Sequence, residues 1–398
     1  MSKPKLQGPL LGLKVVEIAS LGPGPFCAMM LADMGADVIR IDRADVVDVE
    51  LHGPTNVPTK GFTIHRSRRS MGVDLKSPAG IATVLRLIES ADVLLEGYRP
   101  GTMEKMGLGP DICLARNPRL VYGRVSGFGQ DGPLAANPGH DINFVALAGL
   151  LNLVGKEGSP PIPPPGLLGD FGGAGMGLAF GVLAALYERQ ASGQGQVIDC
   201  SMVESSSILG TLFYGMLGAD FYHLERGTNS VDGGAHFFNS YATSDGQWLT
   251  IAAVLPKFYK AMMETLGLSA SEPAQMDESQ WPAMKEKIAA IFKQRTLAEW
   301  NARLDGAEYC YAPVLNMRTA PLHPHNQARK SFVDIEGITQ PAPAPKFSRT
   351  PGHVAASPPI TGEHTTAILQ DWGFSSAEIA SLHQGGTVKT AAKHNKGV

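Results

Sequence analysis

The chain has 398 residues, of which 43% are hydrophobic and 18% charged, and its formal net charge at pH 7 is -3. A chain of this length buries roughly three-quarters of its unfolded surface and forms one large domain or two ordinary ones. The near balance of charge excludes the strongly basic surface typical of proteins that bind nucleic acid or anionic membranes, so we expect neither partner.

Membrane spans, disulfides and metal sites are also not expected. The stretch 1–6 lacks the apolar core of a secretory signal, and no apolar run reaches the roughly 18 residues of a spanning helix. Four cysteines lie far apart without paired spacing, which predicts reduced, buried thiols. The His, Cys and Asp residues show no ligand spacing, so we expect no metal or redox cofactor. Together these features predict a cytoplasmic protein.

Predicted strands and helices alternate through the first third of the chain. Strands at 13–18 and 36–42 enclose a helix at 26–34, which predicts a parallel, right-handed βαβ unit. Its first turn, 22–25, lacks the G-x-G-x-x-G spacing of dinucleotide-binding loops, and its prolines remove N–H donors, so NAD is not expected. Further strands are predicted at 70–75, 92–96 and 120–126, with a helix at 78–90. This alternation predicts a large domain with an open, parallel, Rossmann-like α/β sheet, whose ligands usually bind beyond the carboxyl ends of the strands.

The second half of the chain predicts a smaller α+β domain and an extended segment. Composition shifts near 225–229, and a hairpin at 237–253 follows. Helices are then predicted at 256–266, 281–292 and 297–304. The proline-rich segment 340–359 is either a flexible linker or a return to the first domain, and we favour the return because Phe347 and Trp372 need packing partners. The predicted domains are 1–224, 225–330 and 331–398.

The stretch between His140 and Asp170 carries the main candidate site. His140 stands before an apolar run, and Asp170 stands where the chain turns into a predicted apolar helix at 178–187. An aspartate at a helix start accepts hydrogen bonds from unpaired backbone N–H groups and gains from the helix dipole. Each residue also has a purely structural interpretation. His140 could complete a turn beside a helix, and Asp170 could be a plain helix cap.

Several stretches of the sequence resemble the family III coenzyme A transferases. They are 8–17, 31–43, 96–101 and 169–173, and the resemblance covers most of the chain. The narrower stretch 139–144 resembles the racemase branch of that family, which acts on α-methylacyl-CoA thioesters of fatty acid and lipid metabolism. The resemblance implies an interlocked homodimer in which each chain has a large open α/β domain, a smaller domain and a returning carboxyl-terminal segment.

The resemblance also implies catalytic roles. His140 and Asp170 would remove and return the α-proton on opposite faces of the substrate carbon, through an enolate. Backbone N–H groups of Phe171, Gly172 and Gly173 are our candidates for binding the enolate oxygen, because they would lie at a helix start.

The same resemblance implies that the substrate is an acyl-CoA thioester and that no cofactor is needed beyond its coenzyme A. The basic cluster Arg66, Arg68 and Arg69 is a further candidate for phosphate. The residues that match the family's coenzyme A contacts are Arg43, Val73, Asp74, Leu75, Lys76, Gly97, Tyr98, Arg99, Lys105, Gly139, Asp141, Ile142, Asn143 and Phe144.

Two positions depart from the racemase pattern. Leu255 stands where racemases of this kind carry a glutamate that contacts the catalytic histidine, and His236 stands where proline is common. Leucine cannot stabilise an imidazolium, so three alternatives remain open: His140 is a weaker base, takes another partner such as Tyr241 or Asn239, or acts on a different substrate. Our first hypothesis is a 2-methylacyl-CoA racemase or epimerase. The second is a CoA-transferase with the same aspartate as nucleophile, and the third is a non-catalytic acyl-CoA binder.

Overall fold

The computed structural model describes residues 5–48, 59–270, 274–306 and 310–392. The strands are β1 (Lys14–Ile18), β2 (Asp37–Arg43), β3 (Arg69–Val73), β4 (Val93–Glu96), β5 (Val121–Ser126), β6 (Val197–Ser201), β7 (Phe238–Ala242), β8 (Trp248–Ala252), β9 (Tyr311–Pro313), β10 (Phe332–Ile335), β11 (Ile338–Pro341) and β12 (Val388–Lys389). The α-helices are α1 (Pro23–Asp33), α2 (Pro78–Ile88), α3 (Thr102–Lys105), α4 (Pro110–Arg116), α5 (Asp141–Leu147), α6 (Met176–Ser192), α7 (Met202–Leu209), α8 (Thr211–Gly218), α9 (Pro256–Thr265), α10 (Trp281–Phe292), α11 (Leu297–Leu304), α12 (Pro324–Ala328), α13 (Thr365–Asp371) and α14 (Ser376–Gln384). A π-helix, Leu167–Gly175, runs directly into α6.

The chain divides into two compact units. The first unit contains the chain up to Ala148, Pro165–Leu209 and the chain from Gln327 onward. The second contains Gly149–Pro164 and Gly210–Asn326. The second unit thus includes residues 149–164 and 210–224, which were predicted to belong to the large domain.

The first unit is built on a seven-stranded sheet with the order β12-β3-β2-β1-β4-β5-β6. All neighbouring pairs from β3 to β6 are parallel, and β12 is antiparallel to β3. The predicted parallel α/β sheet is therefore confirmed. The antiparallel edge strand β12 was not predicted, since two residues of alternating pattern give no recognisable strand signal.

Side chains of the central strands alternate between two apolar layers of the first unit. In β1, Val16 packs in the layer that contains residues of α2 and α13, whereas Val15 packs in the layer that contains residues of α1 and α6. They alternate because successive side chains of a strand point to opposite faces. Helices therefore cover both faces of the sheet, as parallel sheets require, and ligands of such sheets bind at the carboxyl ends of the strands.

The carboxyl-terminal segment packs within the first unit. Ile368 and Leu369 of α13 lie in the layer with α2, and Trp372 belongs to the same layer at 8% exposure. Phe347 is 41% exposed. The packing partner expected for Trp372 is thus present, and the expected burial of Phe347 is wrong.

The second unit contains the antiparallel sheet β7-β8-β9 and the helices α9, α10 and α11. β7 and β8 form the predicted hairpin, with Phe238 opposite Ala252 and Ala242 opposite Trp248. All four cysteines of the chain are free, as expected, but Cys310 is exposed.

The π-helix and α6 together form a continuous helix, Leu167–Ser192. It has 26 residues and is long and apolar enough, by length and composition alone, to cross a membrane. The expectation that no apolar stretch reaches this length is therefore wrong, because the glycine-rich part was interpreted as a turn. Leu178, Val182 and Ala185 pack in the apolar layer on the sheet. The core helix of a globular fold passes the same test, so its length carries no argument for a membrane.

Candidate active site

Asp170 lies inside the π-helix Leu167–Gly175. The helix begins after Gly166, whose φ of 67° is in the left-handed region that favours glycine. The sequence analysis placed the helix start near residue 178, so the interpretation of Asp170 as a plain helix cap is wrong. Asp170 instead belongs to the first turn of a wide helix, and π-helical turns occur frequently at functional sites.

The backbone of this turn corrects the expected oxyanion donors. The N–H of Phe171 donates to the carbonyl of Gly166 at 3.1 Å, which is the i→i−5 hydrogen bond of a π-helix. Gly172 and Gly173 lie within the same helix. The N–H of Phe171 is therefore engaged, and the proposal that these three residues bind an enolate oxygen is not supported.

The carboxylate of Asp141 ties α5 to the π-helix. Its Oδ1 accepts hydrogen bonds from the N–H groups of Gly169, at 2.8 Å, and of Asp170, at 2.9 Å. A Cβ on Gly169 would lie 2.6 Å from the same oxygen, so glycine is needed there. Since Asp141 follows His140 directly, one side chain fixes the backbone beside both candidate catalytic residues.

His140 is exposed and precedes the first residue of α5. Its backbone is extended, with φ -133° and ψ 170°, and its N–H donates to Asn143 Oδ1 at 3.1 Å. In turn, the N–H of Asn143 donates to the carbonyl of His140 at 2.8 Å. These two hydrogen bonds hold the main chain of His140 at the helix start, while its imidazole is presented to solvent.

The environment of Asp170 raises the pKa of its carboxyl group from 3.8 to about 6. Partial burial is the largest cause, because it disfavours the charged form, and the negative charge of Asp141 adds to it. His140 acts in the opposite direction and lowers this pKa. The side chains of His140 and Asp170 are thus close enough to interact electrostatically within one site of the first unit.

The loop after β1 packs against the carboxyl group of Asp170. A Cβ on Gly22 would lie 3.2 Å from Asp170 Cγ, and the φ of Gly22 is 66°. Phe26 of α1 stacks on Phe171 of the π-helix, with ring centroids 5.1 Å apart. These contacts bury part of the carboxyl group and hold the π-helix against α1.

The residues predicted from the 139–144 motif have structural roles of different kinds. Phe144 is buried and meets Phe128 edge to face, with ring centroids 5.0 Å apart. A Cβ on Gly139 would lie 2.6 Å from the Phe144 ring, so this ring needs a glycine beside it. Ile142 is 39% exposed. The whole motif lies outside the cavity described next.

A cavity of about 1640 Å³ lies beyond the carboxyl ends of β2 and β3. Arg43 ends β2, Val73 ends β3, and Tyr98 follows β4, so the cavity occupies the usual ligand position of a parallel sheet. Gly97 and Arg99 flank Tyr98 in the chain but do not line the cavity. The predicted coenzyme A residues that line it are Arg43, Val73, Asp74, Leu75, Lys76, Tyr98 and Lys105.

The same cavity has lining residues that the sequence analysis missed. Arg86 and Arg116 come from α2 and α4, whereas His383, Lys389 and Thr390 come from the carboxyl-terminal segment. The last three reach the cavity because β12 pairs with β3, with Val388 opposite Val73. Nothing in the local pattern near residue 388 signals this pairing, which depends on tertiary packing.

The basic cluster Arg66, Arg68 and Arg69 is structural. All three side chains are buried and each forms an ion pair: Arg66 with Asp33 at 2.5 Å, Arg68 with Glu17 at 2.5 Å, and Arg69 with Asp37 at 2.9 Å. A buried cation is tolerated where a carboxylate pairs with it. The expectation that this cluster binds phosphate is therefore wrong.

The second unit shows how the departures from the racemase pattern are accommodated. Leu255 is 54% exposed and caps α9 without a side-chain hydrogen bond. His236 is buried, its Nε2 lies 2.9 Å from the Tyr259 hydroxyl, and burial lowers its pKa to about 4. The hydroxyl of Tyr241 donates to the carbonyl of His236 at 2.7 Å, and Asn239 Nδ2 donates to the carbonyl of residue 233 at 2.8 Å. Both alternative partners suggested for His140 are thus engaged within their own unit.

Comparisons with known proteins identify the family of this chain. The chain is 44% identical to the alpha-methylacyl-CoA racemase of Mus musculus and 43% identical to that of Homo sapiens, each over 94% of this chain and 96% of the relative. A crystal structure of a CAIB/BAIF family protein from Brucella suis superposes with a TM-score of 0.80 at 25% identity, covering 92% of this chain and 100% of that one. The family model described as CoA-transferase family III matches residues 10–365. On this match and the relatives' identity, the chain belongs to CoA-transferase family III.

Proposed function

We propose that this protein is an α-methylacyl-CoA racemase that interconverts (R)- and (S)-2-methylacyl-CoA thioesters. The observation that carries the proposal is that Asp141, directly after His140, binds the backbone N–H of the partly buried Asp170 and so places both residues at one site. Burial of Asp170 raises the pKa of its carboxyl group to about 6. Racemisation needs two groups that remove and return a proton at one carbon. The two relatives named alpha-methylacyl-CoA racemase support the same choice of reaction.

The raised pKa of Asp170 suits a reaction that runs in both directions. The α-proton of a thioester is a very weak acid, and a carboxylate with an ordinary pKa of 3.8 is a weak base for it. Burial brings the carboxyl group of Asp170 to about 6, within the range where imidazole side chains titrate. A carboxyl group in this range can act as base for one enantiomer and as acid for the other.

In this proposal the coenzyme A part of the substrate occupies the cavity of about 1640 Å³. Arg43, Lys76 and Lys105 line it and supply positive charge for the phosphate groups. The acyl part then reaches His140 and Asp170 in the same unit. No group other than this coenzyme A is needed, because the reaction moves only protons.

The exposed face of α6 supports a homodimer. Met176, Phe180, Leu183 and Tyr187 recur at helical spacing and are 52%, 76%, 43% and 78% exposed. Residues three and four apart lie on the same side of a helix, so these side chains form one apolar stripe. Stripes of this kind mark protein–protein interfaces, and we assign this one to a second copy of the chain.

A single incubation tests the reaction. Enantiopure 2-methylacyl-CoA is mixed with the protein in deuterated water, and NMR follows both deuterium at the α-carbon and stereochemistry. The proposal expects α-deuterium to appear together with the opposite enantiomer. The proposal is refuted if the substrate keeps its configuration and carries no α-deuterium after prolonged incubation with the protein.

The family name and the apolar Leu255 favour CoA transfer as the second candidate. An added free acid tests it in the same tube, since a transferase moves coenzyme A to that acid through an aspartyl intermediate on Asp170. The variants H140N and D170N separate the reactions. A racemase loses proton exchange in both variants, whereas a transferase loses its activity only in D170N.

A further inference from the structure

A carboxylate stands among the cations of the proposed coenzyme A cavity. Asp45 lies in the turn after β2, two residues after Arg43, and both residues line the cavity together with Lys76. Arg43 Nε donates to Asp45 Oδ1 at 2.9 Å, and Nη2 donates to Oδ2 at 2.6 Å. Nζ of Lys76 lies 3.9 Å from Asp45 Oδ2. One carboxylate therefore holds two cations that the proposed function gives to phosphate.

The geometry makes Asp45 a competitor for phosphate. The edge of a guanidinium group binds an oxyanion through two parallel hydrogen bonds, which is the arrangement that gives arginine its preference for phosphate. Asp45 occupies two of these donors, Nε and Nη2 of Arg43. A phosphate must displace Asp45 to gain the same contact.

The pair is charged and able to exchange partners. The hydrogen bond from Arg43 lowers the pKa of Asp45, so this carboxyl group is ionised at neutral pH. The side chains of Arg43 and Asp45 are 60% and 50% exposed. Exposed ion pairs are weak and open without unfolding, so an incoming phosphate can take the place of the carboxylate.

Other cations of the cavity are placed differently. Arg116 pairs with Glu89 at 2.9 Å, and that carboxylate holds a single arginine. Lys105 forms no ion pair with any residue of the described ranges. Asp45 differs from Glu89 because it bridges two lining cations at once.

We propose that Asp45 is an internal competitor that weakens the binding of the coenzyme's phosphate groups to Arg43 and Lys76, and thereby sets the affinity for acyl-CoA. The inference rests on the proposed function, because it assumes that coenzyme A occupies this cavity. Asp45 determines how tightly the substrate is held and takes no part in the chemistry at the α-carbon. Its removal should tighten binding, the opposite of what loss of a phosphate ligand does.

The test compares D45N with the wild-type protein by titration calorimetry, using acyl-CoA and the matching acyl-pantetheine, which lacks phosphate. We expect D45N to bind acyl-CoA about three- to fivefold more tightly at low salt, which is the upper range of an exposed but bidentate ion pair. The gain should shrink as salt rises, because exposed charges are screened. Affinity for acyl-pantetheine should not change. E286Q is the matched control, since Glu286 is exposed on α10, outside the cavity, and its variant removes the same charge.

A double-mutant cycle tests whether Asp45 acts through Arg43. If it does, the gain from D45N largely disappears in an R43Q background. Unchanged or weaker binding of acyl-CoA by D45N, or an equal gain with acyl-pantetheine or in E286Q, overturns the inference. None of these outcomes tests the proposed function. That function fails separately if the wild-type protein does not prefer acyl-CoA over acyl-pantetheine and catalyses no exchange.

Discussion

Replacing Asp141 with asparagine tests how the site sets the basicity of Asp170. The variant removes one negative charge beside Asp170 but keeps an oxygen that can accept from the N–H groups of residues 169 and 170. The pKa of Asp170 is raised from 3.8 to about 6, with burial as the largest cause and the charge of Asp141 as the second. Since burial remains in the variant, we expect this pKa to fall by only about 0.5 to 1, equivalent to about 0.7–1.4 kcal/mol.

The assay is the pH dependence of α-proton exchange between about pH 4.5 and 9. Asp170 accepts a proton only as the carboxylate, so exchange falls as pH falls through its pKa. The acid limb should therefore lie near pH 6 in the wild-type protein and about 0.5 to 1 lower in D141N. Above both limbs, D141N should be about two- to fivefold slower, since a weaker base removes the proton less readily.

Two comparisons make this result specific. D141A also removes the acceptor of two backbone N–H groups, so we expect it to lose about 1–3 kcal/mol of stability and to slow exchange further. E286Q removes an equal charge elsewhere and should leave the acid limb in place. The reasoning is refuted if D141N retains the wild-type acid limb or moves it to higher pH.

Three further predictions concern stability and assembly. D170N should raise the free energy of unfolding by about 1–3 kcal/mol at pH 8, because a partly buried carboxylate with a raised pKa destabilises the folded state once it is ionised. This gain should vanish as pH falls from 6 to 4, which denaturant titrations at several pH values measure. G22A should lose about 1–3 kcal/mol in thermal melts and slow exchange at least tenfold, because its φ is 66° and its Cβ would lie 3.2 Å from Asp170 Cγ. F180D should shift the molecular mass measured by light scattering from dimer to monomer, because it places a charge in the apolar stripe of α6; a mass unchanged by F180D would contradict the assignment of the stripe.

The residues near the site could be predicted from sequence, whereas the hydrogen bonds and packing contacts between them could not. The pattern identified His140 and Asp170, and the resemblance supplied a reason to pair them. The sequence pattern did not reveal that Asp141 joins α5 to the π-helix, because a side-chain contact to a backbone 28 residues away leaves no local signal. The helix start was also misplaced, since the glycines of residues 169–175 match a turn as well as they match a π-helix.

The cavity at the ends of β2 and β3 shows the same division. Residues at the ends of β2 and β3 were predicted because they match the coenzyme A contacts that the family resemblance implies. The motif at 139–144, which was predicted to contact the coenzyme, contributes helix capping and packing around Phe144 and lies outside this cavity. Residues such as Lys389 were missed because their position depends on an edge pairing of two residues, which is determined by packing of the whole carboxyl-terminal segment.

The departure at Leu255 can be assessed from charges alone. The glutamate that the resemblance implies at this position carries a negative charge that can stabilise an imidazolium, and leucine carries none. In the first unit, His140 lowers the pKa of Asp170, so the two side chains interact electrostatically. Under the proposed function this same carboxyl group exchanges the proton. Asp141 holds the backbone beside both residues and is the second cause of the raised pKa of Asp170. Under the proposed function we therefore expect its replacement to affect the reaction more than the loss of a single packing contact would.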